Sequence, residues 1–259
     1  MVITLRFVAM FFLVFARIGG MFLSAPVFNQ KEFFLLAKVI LIFWITVLLI
    51  YHVPLPAHPP DTAFTFVLAA VTEVFVGLLI GFIADILVTG IELAGNLMDT
   101  QAGLSVASQL DPSSGRTITL MSLLLKRTSF ITFLLIDGHH FVLSAIVHSF
   151  RLLPIASPIN LGAGAFEVVK CGTYIFYLAV QLASPIILVV FLVDFGFGVL
   201  NRVAEQINIF QLGFQIKPTV SLIIFLAIVP GISHSIISVL EGTSEHLLSV
   251  FHALQVGAP

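Results

Sequence analysis

Three carboxylates, Glu73, Asp85 and Glu92, stand in a stretch of chain that is otherwise almost all hydrocarbon. Asp85 and Glu92 are seven residues apart, a spacing that puts both on one face of a helix, two turns from each other. Ionisable groups within membrane-spanning segments are costly and mark proton relays, ion pathways or paired charges. Two chemistries are therefore open. The carboxylates could relay a proton or a small ion, or each could be neutralised by a basic residue such as Arg17 on a neighbouring helix, because buried charges are generally paired.

No catalytic constellation accompanies them. His139 and His140 are adjacent at a tight turn, lack the i, i+4 spacing of a helical ligand pair and have no nearby Cys or acidic cluster, so they read as a turn pair without a metal. The sequence GISHS at 231–235 sets Ser beside His, but neighbours on a helix point apart and cannot share a base–nucleophile hydrogen bond. The chain has no GxSxG elbow, no HExxH and no phosphate-cradling Gly loop. Neither an enzyme nor a cofactor is expected. Glu167 and Lys170, three apart, can pair on one helix. Asp194, Arg202 and Glu205 bracket FGFGVLN, which reads as a bend with capping.

The elements that must position these groups are membrane helices. Of 259 residues, 59% are hydrophobic and 9% charged, a balance that excludes an ordinary water-soluble domain. A net charge of −2 with no polybasic run gives no field for nucleic acid or lipid headgroups. The lone Cys171 sits in an apolar stretch and reads as a small buried hydrophobe. Apolar lengths near the 20 residues a span needs occur at 5–27, 33–51 and 63–88, the last continuing with helical spacing through Leu87, Ile91 and Ala94. The Asp137-Gly138 turn separates 118–136 from 140–153, which reads as a helical hairpin closed by Pro154. A long helix at 165–193 carries Pro185 inside it, and Pro230-Gly231 splits 218–229 from 232–252. Gly77 and Gly81 form a GxxxG pattern that permits close helix approach. Residues 1–259 thus form one all-α integral membrane domain. Its N-terminal segment is a retained helix rather than a signal peptide, since Arg17 interrupts the apolar run and Pro26 follows the small residues. Lys31 and Lys38 after the first helix, against no Lys or Arg at 52–61, put the N-terminus outside, although Arg6 opposes this.

Residues 90–115, GIELAGNLMDTQAGLSVASQLDPSSG, break the hydrocarbon with small, polar, turn-forming residues. Irregular backbone cannot face lipid, so this segment must be buried in protein or line a water-filled path. That makes it a conduit wall or a plug.

Three stretches carry a family resemblance: AGNLMDTQAGLSVASQLDPSSG (94–115), IDGHHFVLSAIVHSFRLLPI (136–155) and FGVLNRVAEQINIFQLGFQIKP (197–218). In this order they resemble the FliR family, export-apparatus subunits of bacterial flagellar type III secretion, related to injectisome SctT. The resemblance implies kinked helical hairpins packed in a hetero-oligomeric export gate with FliP and FliQ, against which FlhB docks. It implies a place in the bacterial inner membrane at the flagellar basal body, with unfolded flagellar export substrates as cargo. It also implies that an irregular loop at about 103–116 enters the pore and helps close it. The loop residues concerned are Gly103, Leu104, Ser105, Val106, Ala107, Ser108, Gln109, Leu110, Asp111 and Pro112. Beside the resemblance, the residues themselves make Arg17, Glu73, Asp85 and Glu92 the candidate inter-helix or inter-subunit charges. The alternatives are an injectisome SctT-type subunit, or a small secondary transporter that uses the carboxylates.

Overall fold

The computed structural model describes residues 2–26, 34–54, 60, 62–105, 119–204, 206 and 208–255. Among them are seven helices: α1 (Val2–Ser24), α2 (Leu35–Leu49), α3 (Ala63–Ala102), α4 (Leu120–Leu135), α5 (Gly138–Leu152), α6 (Leu161–Val203) and α7 (Ile209–Leu254). The only β pairing among the described residues is an isolated bridge between Ile159 and Gln255. Four stretches, Phe7–Ser24, Ala63–Ala102, Gly162–Val203 and Gln211–Ile232, are long and apolar enough to cross a bilayer. The chain is an all-α integral membrane protein.

Polar residues start the long helices. Thr62 and Thr65 cap α3 reciprocally, each hydroxyl accepting the other's backbone N–H at 3.2 and 3.1 Å. Asn160 accepts the Ala163 N–H at 3.2 Å at the start of α6, and Asn208 accepts the Gln211 N–H at 3.3 Å at the start of α7.

The helices are more continuous than the breakers in the sequence suggest. FGFGVLN is not a bend: α6 runs through it to Val203 with Pro185 inside. Likewise α7 passes Pro218 and Pro230 without ending. In a membrane, neighbouring groups and local adjustments restore the backbone bonds that Pro and Gly disturb, so such residues need not terminate a span. Asp137, in a left-handed conformation (φ 57°), does break α4 from α5. The chain bends by 67° there, which makes a bent apolar pair rather than the full reversal of a hairpin.

The helices build two compact units: Met1–Leu87 with Leu134–Gly172 and Leu240–Pro259, and Val88–Phe133 with Thr173–Val239. In the first, α1 lies against α3 with the backbones nearly touching. A Cβ at Gly77 would strike the Arg17 carbonyl, and one at Gly81 would strike Met21 and Ser24. Ser24 Oγ donates to the Leu78 carbonyl at 2.9 Å across this contact. Small residues and such polar bonds drive association where lipid supplies no hydrophobic force. Phe22, Phe150 and Phe251 fill the same core, and Gln255 Nε2 ties the end of α7 to the Leu152 carbonyl at 2.7 Å. The core of the second unit holds Met98, Met121, Leu125, Ala179, Ile186 and Phe225.

Candidate functional site

Of the four candidate charges, Arg17 and Glu73 meet each other. Arg17 Nε donates to Glu73 Oε2 at 2.5 Å, with side chains 1% and 3% exposed. The Arg17 Nη1 donates to Ser149 Oγ at 3.2 Å, and the guanidinium lies 4.3 Å from the centre of the Phe150 ring. The second Glu73 oxygen accepts the Ala156 N–H at 3.0 Å. Ala156 adopts φ 59°, so the turn after α5 is held in a left-handed conformation against this carboxylate. One buried ion pair therefore binds α1, α3 and α5 together with the 153–157 turn.

Glu92 pairs with Lys126 of α4 at 2.7 Å, with side chains 28% and 37% exposed. Asp85 is half-buried on α3, seven residues earlier. Glu167 and Lys170 pair at 2.6 Å on α6, as their spacing suggests.

The foot of the polar segment is where sequence reasoning missed a residue. Helix α3 ends in a Schellman turn: Gly103 (φ 78°) donates its N–H to the Thr100 carbonyl at 3.2 Å, and Leu104 donates to the Asp99 carbonyl at 2.9 Å. Asp99 itself is fully buried. Its carboxylate accepts the Thr119 hydroxyl, the Met121 N–H at 3.1 Å and the Ser122 N–H at 2.9 Å. Thr119 stands where an N-cap residue would, yet its hydroxyl donates to Asp99, which takes over the capping of α4 from twenty residues away. A carboxylate at a helix N-terminus also meets the positive end of the helix dipole. Around it, Ser122 Oγ donates to the Glu92 carbonyl at 3.2 Å, and Gly95 leaves no room for a Cβ against the Ser122 backbone. Glu92, Gly95 and Asp99 thus make one face of α3 on which α4 seats. A signal for Asp99 was present, since it extends the seven-residue spacing of Asp85 and Glu92 by one more step.

Gly103, Leu104 and Ser105 leave this turn, while residues 106–112 of the expected plug lie outside the described residues. In the second unit, Ala102 and Gly103 border a cavity of about 350 Å³ walled by Phe197, Gly198 and Phe214. An ion pair between Asp194 of α6 and Lys217 of α7, 2.5 Å long, stands in its wall, so Asp194 bridges helices rather than capping a bend.

The histidine pair has an acidic neighbour that the sequence reading overlooked. Asp137, His139 and His140 offer donor atoms within 4.8 Å of one another, with the carboxylate 4.0 and 3.6 Å from the two rings. His139 Nδ1 is buried with no hydrogen-bond partner among the described residues. A metal-bearing imidazole normally rests its other nitrogen on an acceptor, so the arrangement does not fit a built metal centre.

Comparison with known proteins places this architecture. The model of the bacterial export proteins, family 1, matches residues 8–243. The flagellar biosynthetic protein FliR of Bacillus subtilis is 28% identical over 93% of this chain and 95% of its own length. The FliR of Pectobacterium carotovorum is 30% identical over 94% of this chain and 90% of its own. The Yop proteins translocation protein T of Yersinia pestis is 31% identical over 86% of this chain and 87% of its own. Three separated motifs, long apolar helices and a family match over nearly the whole length agree, and the chain belongs to the bacterial export proteins, family 1.

Proposed function

We propose that this chain forms part of the wall of a flagellar type III export gate, with FliP and FliQ as its neighbours and FlhB docked against it. It is a membrane-embedded subunit of a type III export apparatus and not an enzyme. In this reading, residues 1–259 act as one membrane domain in the bacterial inner membrane at the flagellar basal body. The loop at 103–116 stands in the pore and is displaced when unfolded flagellar substrates pass.

The observation that carries this reading is the polar loop, which leaves α3 through an ordered turn in a chain of the export family. Helix length adds support. At 1.5 Å per residue the 43 residues of α6 have a contour of roughly 65 Å, about twice the hydrocarbon thickness. Exposed apolar side chains nevertheless continue along it from Phe166 to Val203. Lipid alone cannot cover such a face, whereas sister subunits can. The transporter alternative is weakened because Glu73 and Glu92 are each held in an ion pair. The flagellar reading is supported by the Bacillus subtilis and Pectobacterium carotovorum FliR alignments, which cover 93% and 94% of this chain against 86% for the Yersinia one.

Native mass spectrometry of the tagged chain extracted from its own host tests the assembly. One copy bound to several copies of two other small membrane proteins supports the gate, and a lone chain or homodimer refutes it. For the plug, the assembled complex carrying a shortened 103–116 loop should leak small ions in planar bilayers. An unchanged conductance would sink the assignment.

A further inference from the structure

We propose that the exposed face of α6 centred on Gln181 and Ser184 is the seat of one membrane helix from a sister subunit of the export apparatus, an otherwise apolar helix that carries a hydrogen-bonding side chain (Ser, Thr, Asn or Gln) opposite Gln181. The inference rests on the gate reading above and names where one neighbour docks and by what chemistry.

Six exposed residues of α6, Tyr177, Gln181, Ser184, Leu188, Phe191 and Phe195, follow one another at alternating spacings of four and three. That is the seven-residue repeat by which one helix packs along another at about 20°, the usual crossing in membrane bundles. Lipid chains impose no such period. The depth of the seam argues the same way. No Asp, Glu, Lys or Arg occurs from 171 to 193, a length close to the about 20 residues that cross the hydrocarbon, and Gln181 and Ser184 stand within one turn of its midpoint, Leu182. There the Pro185 ring removes the N–H that would bond the Gln181 carbonyl, and Ser184 Oγ donates to that carbonyl at 2.8 Å instead. The backbone is thereby satisfied, but the exposed Gln181 side-chain amide makes no hydrogen bond among the described residues. At the bilayer centre neither lipid nor water supplies one, and an amide left unpaired in hydrocarbon is costly. A helix with a hydroxyl or amide at the matching level supplies it, and Ser184 Oγ keeps a lone pair for the same group. An open groove of about 660 Å³ beside Pro185, with Val180, Leu188 and Phe191 around it, leaves room for the partner's side chains to interdigitate. One polar residue in an apolar seam fixes register, as a buried Asn does in a coiled coil.

The test uses the complete export complex in the membranes of its own host, with a benzophenone amino acid in place of Tyr177, Leu188 or Phe191, one at a time. Irradiation should join each form to the same second membrane protein. The sites captured from Tyr177 and Phe191, fourteen positions apart on α6, should lie about fourteen positions apart on a single helix of that protein. Phospholipid adducts alone, a covalent dimer of this chain, or no adduct would overturn the proposal. Gln181→Leu removes the amide from an exposed helical position and leaves the packed core untouched. It should raise the apparent dissociation constant of the chain from the complex, measured by detergent dilution, about three- to tenfold. Gln181→Asn, which keeps a donor and an acceptor, should recover part of that loss. An unchanged constant in Gln181→Leu would overturn the hydrogen bond that sets the register. Native mass spectrometry of the same preparations separates the two readings. If the chain is found with several copies of two other membrane proteins but the cross-links reach only lipid, the seat is wrong and the gate stands. A lone chain or homodimer removes both.

Discussion

Replacing Glu73 with Ala should be among the most damaging single changes in the first unit, and the size of the effect follows from its partners. The substitution leaves the Arg17 guanidinium, 1% exposed, with Ser149 and the Phe150 ring as its remaining contacts. Removing one member of a buried ion pair costs about 3–5 kcal/mol, because the surviving charge stays desolvated. The Ala156 N–H loses its acceptor as well, which adds about 1 kcal/mol. The expected destabilisation is therefore about 4–6 kcal/mol. The double variant Arg17→Met with Glu73→Leu buries no charge and should be less destabilised than Glu73→Ala alone, with a coupling of about 2–3 kcal/mol between the sites. Equilibrium unfolding by sodium dodecyl sulfate in mixed micelles, followed by far-ultraviolet circular dichroism, measures Glu73→Ala, the double variant and its two component single variants, Arg17→Met and Glu73→Leu, against the natural chain. The reasoning is refuted if Glu73→Ala shifts stability by less than about 1 kcal/mol, or if the double variant equals the sum of the two single ones.

Two further variants probe the helix contacts by the same unfolding measurement. Gly77→Val drives a side chain into the Arg17 carbonyl and should cost at least about 2 kcal/mol as α1 and α3 are forced apart; a neutral result would mean the helices do not meet there. Glu92→Ala breaks a pair that is about one-third exposed and should cost less than about 1 kcal/mol, with the difference shrinking as salt is raised; a loss like that of Glu73→Ala would contradict the exposure.

The partly legible features are those with a local signature. Arg17 and Glu73 could be suspected as partners because each is an isolated charge in apolar chain, and the GxxxG at Gly77 and Gly81 marks a close approach that the structure makes against α1. The 63–88 run and its helical spacing as far as Ala94 were legible, but the last turns to Ala102 were hidden by polar residues such as Asp99 that α4 covers. Breakers misled at FGFGVLN and Pro230-Gly231, because the penalties learned from water-soluble helices overstate the effect of Gly and Pro inside a span. Asp99 was missed for a different reason. In sequence it is one polar residue among the MDTQ of a turn-rich segment, and its significance lies in donors twenty and more residues away whose approach only the packed helices determine.

The Arg17–Glu73 pair also sets an order of events while the chain is being made. The first apolar helix emerges with its arginine 56 residues ahead of the carboxylate that neutralises it. A lone arginine at the centre of a helix opposes transfer into lipid by about 2.5–3.5 kcal/mol on the insertion scale. At roughly 5–20 residues per second, synthesis of the intervening chain takes several seconds. During that interval the arginine weakens the drive of α1 to enter lipid, and the arrival of Glu73 on α3 removes that penalty.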